Sequence, residues 1–300
     1  MTFPGRNRKS RPGLRRVPLA IVASGMALAL WAFVLEPASL RESEYEIVLA
    51  GWPSACDGLR IAVLADLHVG SPFNGLDKLE RIVRVTRAAH PDIVLLVGDY
   101  VIQGVLGGHF VAPEDTAAIL GQLSAPRGVW AVLGNHDWWL SGARVTSAFA
   151  LAGIPVLEDS ARRIDSAPCT FWLVGIGDLE EARHDIRSAL AQVDDQAPVI
   201  AFTHNPDIFP EIPLRVGLTI AGHTHGGQVR VPFFGRPIVP SRFGERYAIG
   251  PVAEGGHHLF VSPGIGTSIL PVRFLVPPEV SLVTLRSPES VRPGSDSPGG

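Results

Sequence analysis

The chain has 300 residues, 46% of them hydrophobic, and a net charge of −3 at neutral pH. This length fits one large domain or two small ones with a sizeable core. The first 16 residues hold six basic side chains and no acidic one. The other 20 basic and 29 acidic residues give the rest of the chain a net charge of −9. That acidic remainder lacks the basic stripe of a nucleic-acid groove, so we expect no nucleic-acid partner.

A long apolar segment follows the basic N-terminal segment (1–16). Residues 17–35 contain no charge, and these 19 residues in a helix would span roughly 28 Å, close to the hydrocarbon thickness of a bilayer. Because basic flanks stay in the cytoplasm, we predict a single-pass transmembrane helix in a bacterial inner membrane, with the following domain outside the cytoplasm. A cleaved signal peptide is the alternative interpretation, and Arg15-Arg16 leaves a twin-arginine export signal open.

Strands and helices alternate after a connector (36–56) that contains one predicted strand, at 45–50. The next predicted elements are a strand at 59–65, a helix capped by Asn74, a strand at 93–97, a helix at 113–123, a strand at 129–133, and a helix that is capped by Ser141 and ends near Gly153. This alternation is typical of βαβ units.

From residue 170 the pattern changes to strands with few helices. Strands are predicted at 170–175, 199–203, 218–221, 228–231, 258–262 and 280–285, with one clear helix at 179–193. We therefore predict a second, mixed sheet packed on the first within one domain (57–286). A disordered tail rich in Ser, Pro and Gly follows at 287–300.

The chain has two cysteines, Cys56 and Cys169, too few for a disulfide framework and too far apart for a Cys-type zinc site. We favour two unpaired thiols, and a single disulfide stays open if the domain lies outside the cytoplasm.

Five of the apolar runs end in residue types that bind metals. The residues at these ends are Asp66 and His68, Asp99, Asn135, His204, and His223 and His225. Ligands of open α/β sheets bind beyond the carboxyl ends of the strands, so these side chains are expected to converge. Each alone is also a common turn or cap residue, but turns do not explain four histidines at the same edge. Seven donors exceed one tetrahedral site and suit two metals that share a carboxylate.

These residues stand in motifs that resemble those of the calcineurin-like metallophosphoesterases. The motifs are Asp66-Leu67-His68, Gly98-Asp99, Gly134-Asn135-His136-Asp137, a lone His204, and Gly222-His223-Thr224-His225, in the family's order. The resemblance implies an α/β fold, a four-layer αββα sandwich of two mixed β-sheets. It also implies a metal-dependent phosphohydrolase with two divalent ions (Mn, Fe or Zn) whose bridging hydroxide attacks phosphorus.

The resemblance further assigns roles to the individual residues. One metal would take Asp66, His68, Asp99 and His225, and the other would take Asp99, Asn135, His204 and His223, with Asp99 bridging. His136 would be the catalytic residue, contacting a phosphoryl oxygen or protonating the leaving group as a general acid.

One branch of the family is disfavoured. The Ser/Thr protein phosphatases carry an Asp and an Arg shortly after the second motif, whereas Gly98-Asp99-Tyr100-Val101 continues here with Ile102-Gln103-Gly104. The carboxylate that orients the catalytic histidine in that branch is therefore missing. Asp137 is a candidate replacement, and a phosphoprotein substrate is disfavoured.

Other segments of the chain resemble a membrane-anchored bacterial branch of the family, which includes UDP-2,3-diacylglucosamine pyrophosphatases of lipid A biosynthesis. These segments are residues 222–228, 262–267, 270–274 and 277–279. This implies a phosphodiester or pyrophosphate substrate, lipid-linked in some members. A UDP-linked precursor would be met in the cytoplasm, in tension with the exported domain. Arg273 is a candidate contact to a substrate phosphate through its planar fork, with a structural ion pair as the alternative.

Two further functions stay open on the sequence alone. One is a non-catalytic, membrane-tethered metal-binding module, although an unligated His136 has no use in such a site. The other is a broad-specificity phosphodiesterase that acts on phospholipid or nucleotide substrates. A metallo-β-lactamase-like hydrolase is disfavoured because the chain lacks His-x-His-x-Asp-His.

Overall fold

Two mixed β-sheets form the centre of the computed structural model, which describes residues 16–181 and 184–290. The strands are β1 (Arg41–Val48), β2 (Leu59–Leu64), β3 (Ile93–Val97), β4 (Val129–Val132), β5 (Ser160–Ser166), β6 (Cys169–Gly175), β7 (Val199–Phe202), β8 (Leu218–Ala221), β9 (Gly250–Glu254), β10 (His257–Val261) and β11 (Glu279–Arg286). The first sheet has the order β1-β11-β2-β3-β4 and the second β5-β6-β7-β8-β10-β9. Strands β2, β3 and β4 are parallel, as are β6, β7 and β8, so their carboxyl ends share one edge in each sheet.

Helices cover the outer faces of both sheets. The helices are α1 (Arg16–Leu30), α2 (Glu36–Ala38), α3 (Leu76–Ala88), α4 (Pro113–Leu120), α5 (Asn135–Leu151) and α6 (Ile186–Leu190). Helices α3, α4 and α5 pack on the first sheet, while α6 and a 3₁₀ segment at Pro206–Glu211 pack on the second. The layers are thus helix, sheet, sheet and helix, and the predicted αββα sandwich is confirmed.

Side-chain alternation in the central strands explains why they are apolar throughout. In β2, Ile61 and Val63 enter the core between the two sheets, whereas Ala62 and Leu64 enter the core beneath the helices. Successive residues of a strand point to opposite faces, so a strand covered on both faces needs apolar residues at every position. This double burial fixes the ends of the strands, where the candidate ligands lie.

Cys56 and Cys169 form a disulfide, so our preference for two unpaired thiols is wrong. Cys56 lies just before β2 and Cys169 begins β6, so the bond joins the two sheets. The two residues are 113 apart in sequence, and only the packing of one sheet on the other brings them together. Closing a loop of this length restricts the unfolded chain and is expected to stabilise the fold by about 5 kcal/mol.

The boundaries of two predicted helices differ from those observed. Helix α5 begins at Asn135 and not at Ser141, where its backbone is extended (φ 175°, ψ 104°). The Ser141 hydroxyl still accepts the Arg144 N–H at 3.3 Å, so Ser141 caps the second half of a broken helix. Helix α3 is capped at Gly75, because the Asn74 side chain donates instead to the Leu67 carbonyl.

The second half of the chain is less regular than predicted. Of the described residues in the predicted helix 179–193, only Ile186–Leu190 form an α-helix, and the predicted strand 228–231 makes only isolated bridges. Strands β5 and β9 are absent from the prediction because exposed arginines, glycine and proline interrupt their apolar pattern. Ser287, in the predicted disordered tail, is buried and donates to Asp57 at 2.7 Å. Residues 1–15 and 291–300 lie outside the described residues.

Among the described residues, one helix is long and apolar enough to cross a membrane, Ala20–Ala38. It combines most of α1 with a π-helical segment, Trp31–Leu35, and α2. Its C-terminal end is attached to the domain. The Ala32 carbonyl accepts the Arg273 N–H at 2.9 Å, the Glu36 carboxylate accepts the Val276 N–H at 2.6 Å, and Lys78 Nζ donates to the Pro37 carbonyl at 2.8 Å.

Candidate metal centre

The seven predicted ligands come together between the carboxyl ends of the parallel strands. Asp66 follows β2, Asp99 follows β3, Asn135 follows β4, His204 follows β7, and His223 and His225 follow β8. Of the seven ligands, all but His223 are almost completely buried, and His223 is partly exposed to a cleft. The two sheets thus contribute donors to one position from opposite sides.

A first group of donors is formed by Asp66, His68, Asp99 and His225. The Nε2 atoms of His68 and His225 are 3.1 Å apart. His225 Nε2 is 3.8 Å from Asp66 Oδ1, and His68 Nε2 is 3.4 Å from Asp99 Oδ2. Asp66, His68 and His225 offer ligand atoms close enough for one metal ion.

A second group is formed by Asp99, Asn135, His204 and His223. His204 Nε2 is 3.4 Å from Asp99 Oδ2 and 3.1 Å from Asn135 Oδ1. His223 Nδ1 is 3.2 Å from both Asn135 Oδ1 and His204 Nε2. Asp99 belongs to both groups, because the same oxygen faces His68 and His204 at 3.4 Å each.

Hydrogen bonds on the far side of two imidazoles leave their inward nitrogens to face the centre. His68 Nδ1 lies 3.1 Å from the Val101 carbonyl, and His204 Nδ1 lies 2.9 Å from the Val97 carbonyl. A carbonyl only accepts, so each Nδ1 carries a hydrogen, and Nε2 is the nitrogen that can give up its proton and present a lone pair to a cation. The Nε2 atoms face the Asp99 carboxylate and the Asn135 amide oxygen at 3.1 to 3.4 Å. A cation between these nitrogen and oxygen atoms would bind to all of them. Imidazole, carboxylate and amide donors together suit Mn, Fe or Zn.

The backbone at the ligands is strained. Asp66, His68, Asp99, His223 and His225 all have positive φ, between 38° and 68°. Non-glycine residues seldom adopt this conformation, and such strain concentrates at functional sites. Gly134 has no room for a side chain, because a Cβ there would lie 2.6 Å from the Asp99 amide nitrogen and even closer to the Asp99 carboxylate.

The electrostatics of the buried centre favour added positive charge. Burial raises the pKa of Asp66 to about 7, lowers that of His68 to about 4 and lowers that of His223 to about 3. Burial also acts to lower the pKa of His204, but the neighbouring Asp99 carboxylate outweighs it and raises that pKa well above its usual value. The Asp99 carboxylate therefore stabilises a positive charge beside it, and a bound cation would supply such a charge.

His136 lies beside the two donor groups, and its ring offers a ligand atom within 4.8 Å of those of His68 and Asp99. Its Nε2 is 4.0 Å from Asp99 Oδ2, and its ring packs against Trp139 with centroids 4.5 Å apart. Among the described residues, no group hydrogen-bonds to its Nδ1. Both His136 and Trp139 line the cleft.

Asp137 does not orient His136, contrary to one of our expectations. Its carboxylate accepts the backbone N–H groups of Asp99, Tyr100 and Gly134 at 2.8, 2.9 and 2.9 Å. It therefore holds together the backbones of the second and third motifs. Burial, and then the Asp99 carboxylate, raise its pKa to about 7.

Arg273 does not reach the cleft, so the predicted contact with a substrate phosphate is wrong. The side chain is fully buried. Its guanidinium donates to the carbonyls of Gly266, Val276 and Pro263 at 2.6 to 3.1 Å. Arg273 instead holds the chain segment that lies against the end of the N-terminal helix.

A cleft of about 930 Å³ opens over the centre and has two kinds of lining. Its polar side chains include Gln103, Glu180, Asn205 and Arg242, and its apolar side chains include Trp139, Leu179, Ile238 and Ile269. Sequence reasoning found none of these as functional residues. Asn205 could have been found, because it directly follows a ligand, whereas Ile238 and Ile269 come from loops without a motif.

Comparison with known proteins identifies the family. The family model described as calcineurin-like phosphoesterase matches residues 59–227. The chain belongs to this family. The matched residues include both donor groups and His136, and membership makes the chain a phosphohydrolase. The resemblance inferred from the motifs is confirmed.

Three relatives illustrate the range of this phosphoesterase family. The chain is 30% identical over 260 residues to the uncharacterized metallophosphoesterase YkuE of Bacillus subtilis, covering 86% of this chain and 89% of that protein. It is 33% identical over 232 residues to the phosphodiesterase YaeI of Escherichia coli, covering 75% and 82%. It is 26% identical over 318 residues to the UDP-2,3-diacylglucosamine pyrophosphatase LpxG of Chlamydia trachomatis, covering 88% and 94%.

Proposed function

We propose that this phosphoesterase hydrolyses a phosphodiester or pyrophosphate bond with two divalent metal ions. The observation that carries the proposal is the position of Asp99, whose Oδ2 lies 3.4 Å from the inward nitrogens of both His68 and His204. One ion would be held by Asp66, His68, Asp99 and His225, and the other by Asp99, Asn135, His204 and His223. A shared carboxylate is what a pair of neighbouring ions needs.

The bound ions would supply two kinds of chemistry, neutralisation of charge on the phosphoryl oxygens and a lowered pKa of water, toward about 7. His136 is the residue that we assign to proton transfer. It lines the cleft close to Asp99 and outside both ligand groups. Its ring can donate a hydrogen bond to a phosphoryl oxygen or a proton to the leaving oxygen. Trp139 fixes the ring by packing against it.

We propose that the catalytic domain lies outside the cytoplasm, on a single-pass anchor in a bacterial inner membrane. Two observations support this orientation. Six basic residues stand before the apolar helix and only Arg41 within the 20 residues after it, a bias that keeps the N-terminus in the cytoplasm. The disulfide between Cys56 and Cys169 is a bond typical of oxidising compartments.

A lipid-linked substrate suits both the anchor and the cleft. The cleft is lined both by candidate ligands and by apolar side chains, which suit a hydrocarbon or planar group attached to the phosphate. The similarity to the pyrophosphatase LpxG covers most of both chains. UDP-2,3-diacylglucosamine is therefore one substrate to test, and its hydrolysis would place the protein in lipid A biosynthesis. The proposed orientation favours phospholipids and other lipid-linked diesters that an extracytoplasmic enzyme can reach.

The test is an activity screen of the purified full-length chain in detergent with Mn²⁺. The substrates are bis-p-nitrophenyl phosphate, p-nitrophenyl phosphate, UDP-2,3-diacylglucosamine, phospholipids and nucleotide diesters. We expect turnover of diesters or pyrophosphates that is lost on chelation and in the Asp99→Asn variant. Hydrolysis of the monoester alone would contradict the proposed reaction, and equal activity with and without chelator would contradict the metal requirement.

A further inference from the structure

Large apolar side chains stand exposed on three loops around the mouth of the cleft. Phe233 and Phe234 are 104% and 84% exposed, and Ile269 is 72% exposed. We refer to six such residues as the apolar rim: Leu106, Phe233, Phe234, Ile238, Ile269 and Leu270. Single exposed apolar residues are common on protein surfaces, but a cluster of this kind marks a surface that contacts a partner or a membrane.

The three loops carry Leu106, residues 233–238 and residues 269–270. A backbone hydrogen bond joins the first loop to the last, and the middle loop lines the same cleft. The Leu106 N–H donates to the Ile269 carbonyl at 3.0 Å. The Gln228 side chain donates to the carbonyls of Ser268 and Leu270 at 3.1 and 3.4 Å. Ile238 and Ile269 line the same cleft, together with Gln228. Two rim residues, Ile238 and Ile269, therefore line the cleft itself, and the other four lie on the same three loops.

The rim is also continuous with the end of the N-terminal helix. Three residues after Leu270, the Arg273 N–H donates to the Ala32 carbonyl of the helix at 2.9 Å. The Val276 N–H then donates to the Glu36 carboxylate, which is almost completely buried. One short segment thus connects the cleft mouth to the point where the helix meets the domain. The helix is long and apolar enough to cross a membrane, and in the proposed single-pass anchor the domain surface around its end faces the bilayer.

We infer that the apolar rim inserts into the membrane that holds the N-terminal helix, so that the cleft takes its substrate directly from the bilayer. The phosphate of a lipid would enter the centre while its acyl chains stay beside Phe233, Phe234 and Ile238. This rests on the proposed function, which it deepens by naming a membrane lipid as the substrate class. Exposed aromatic and aliphatic side chains at loop tips are the residues that the interfacial region of a bilayer stabilises.

Insertion can be measured without any activity. The native cysteines are buried in a disulfide, so Phe234→Cys offers a single reactive thiol for the fluorophore NBD. The labelled full-length chain is placed in vesicles of phosphatidylethanolamine and phosphatidylglycerol that contain nitroxide-labelled phosphatidylcholine. The matched control is Leu151→Cys, which is 88% exposed at the last residue of α5. After the break in α5 at Ser141, the chain returns parallel to β4, where Val156 bridges Ala131, so Leu151 precedes the segment that runs back toward the metal centre.

We expect the nitroxide lipid to quench the label at position 234 strongly and the label at 151 little. Equal quenching at the two positions overturns the inference. A fluorescence change at 234 that depends on protein concentration, and not on nitroxide lipid, also overturns it, because a second copy of the chain would then cover the rim.

Activity separates this inference from the proposed function. In a Phe233→Ser/Phe234→Ser variant we expect hydrolysis of a fluorescent phospholipid in vesicles to fall at least about tenfold, while turnover of bis-p-nitrophenyl phosphate stays unchanged. Leu151→Ser should change neither rate. If the variant hydrolyses the vesicle substrate at the wild-type rate, the inference is wrong. If the wild-type chain cleaves the soluble diester but no lipid while position 234 is quenched, the rim contacts the membrane and the lipid substrate is wrong.

Discussion

Asp137 accepts the backbone N–H of Asp99 at 2.8 Å, so a buried carboxylate fixes the ligand that both donor groups share. The same carboxylate also binds the Gly134 N–H, at the start of the next motif. Asp137 thus acts through Asp99 and touches no substrate. It explains how the chain segments that follow β3 and β4 are held beside each other.

Asp137→Asn should reduce both stability and metal binding. An amide offers one acceptor oxygen where the carboxylate offers two, and its NH₂ group would face backbone N–H donors. A buried donor left without a partner costs about 1–3 kcal/mol. Urea denaturation should show that loss of unfolding free energy, with weaker Mn²⁺ binding by titration calorimetry. Wild-type stability and affinity together would remove the role that we assign to Asp137.

His136→Ala should keep both metals and lose most of the activity. The residue lies outside both ligand groups, so its removal takes away only proton transfer and phosphoryl contact, worth about 10²–10⁴-fold in rate. The measurement is kcat for bis-p-nitrophenyl phosphate together with metal content. His90→Ala, in an exposed position, is the matched control. Unchanged kcat in the His136 variant contradicts its assignment.

Gly134→Ala should disrupt the centre although it adds only one methyl group. The new Cβ would lie 2.6 Å from the Asp99 amide nitrogen, and the buried strand ends leave little room for movement. Overpacking of this kind costs about 1–3 kcal/mol. Gly217→Ala is the control, because its Cβ would meet only the Val199 carbonyl at 3.7 Å. Equal melting temperatures and metal affinities of the two variants would show that the close approach is unimportant.

Glu158 should make the fold less stable as the pH rises. Burial raises the pKa of Glu158 to about 8, with the carboxylates of Asp159 and Asp178 adding to the effect. Its folded-state pKa lies above the unfolded value of about 4.3, so the folded state binds more protons between these two values. The contribution of Glu158 to the free energy of unfolding is therefore fully present below about pH 4, and it is lost as the pH rises toward 8.

Glu158→Gln isolates this effect, because its amide oxygen can still accept the Leu133 N–H that Glu158 binds at 2.9 Å. Relative to the wild type, the variant should gain stability steadily between about pH 5 and 8. Denaturation curves across that range give the comparison. A constant difference between the two proteins at every pH would show that Glu158 does not titrate in this window.

The sequence predicted well which candidate ligands come together, because their signal is local. Asp66, Asp99 and Asn135 each follow an apolar strand directly, and parallel strands bring such ends together without any knowledge of side-chain contacts. The layer order followed from the same alternation of strands and helices. These features depend on residue type and spacing, which a sequence displays.

Other features depend on contacts between distant parts of the chain. The position of Arg273 suggested a phosphate contact, but the tertiary fold buries its guanidinium among carbonyl groups. Cys56 and Cys169 meet only because one sheet packs on the other. Helix α5 begins before Ser141 because Asn135 and Asp137 are held by the centre itself, which overrides the cap signal.

The central claim is that one carboxylate, that of Asp99, serves two metal ions. Elemental analysis of the purified chain after dialysis with Mn²⁺ tests it most directly, with Asp165→Asn, an exposed residue of β5, as the matched control. We predict about two metal ions per chain in the wild type and the control. Asp99→Asn should retain markedly fewer ions at both positions. Two ions retained by Asp99→Asn, or none bound by the wild type, would contradict the account.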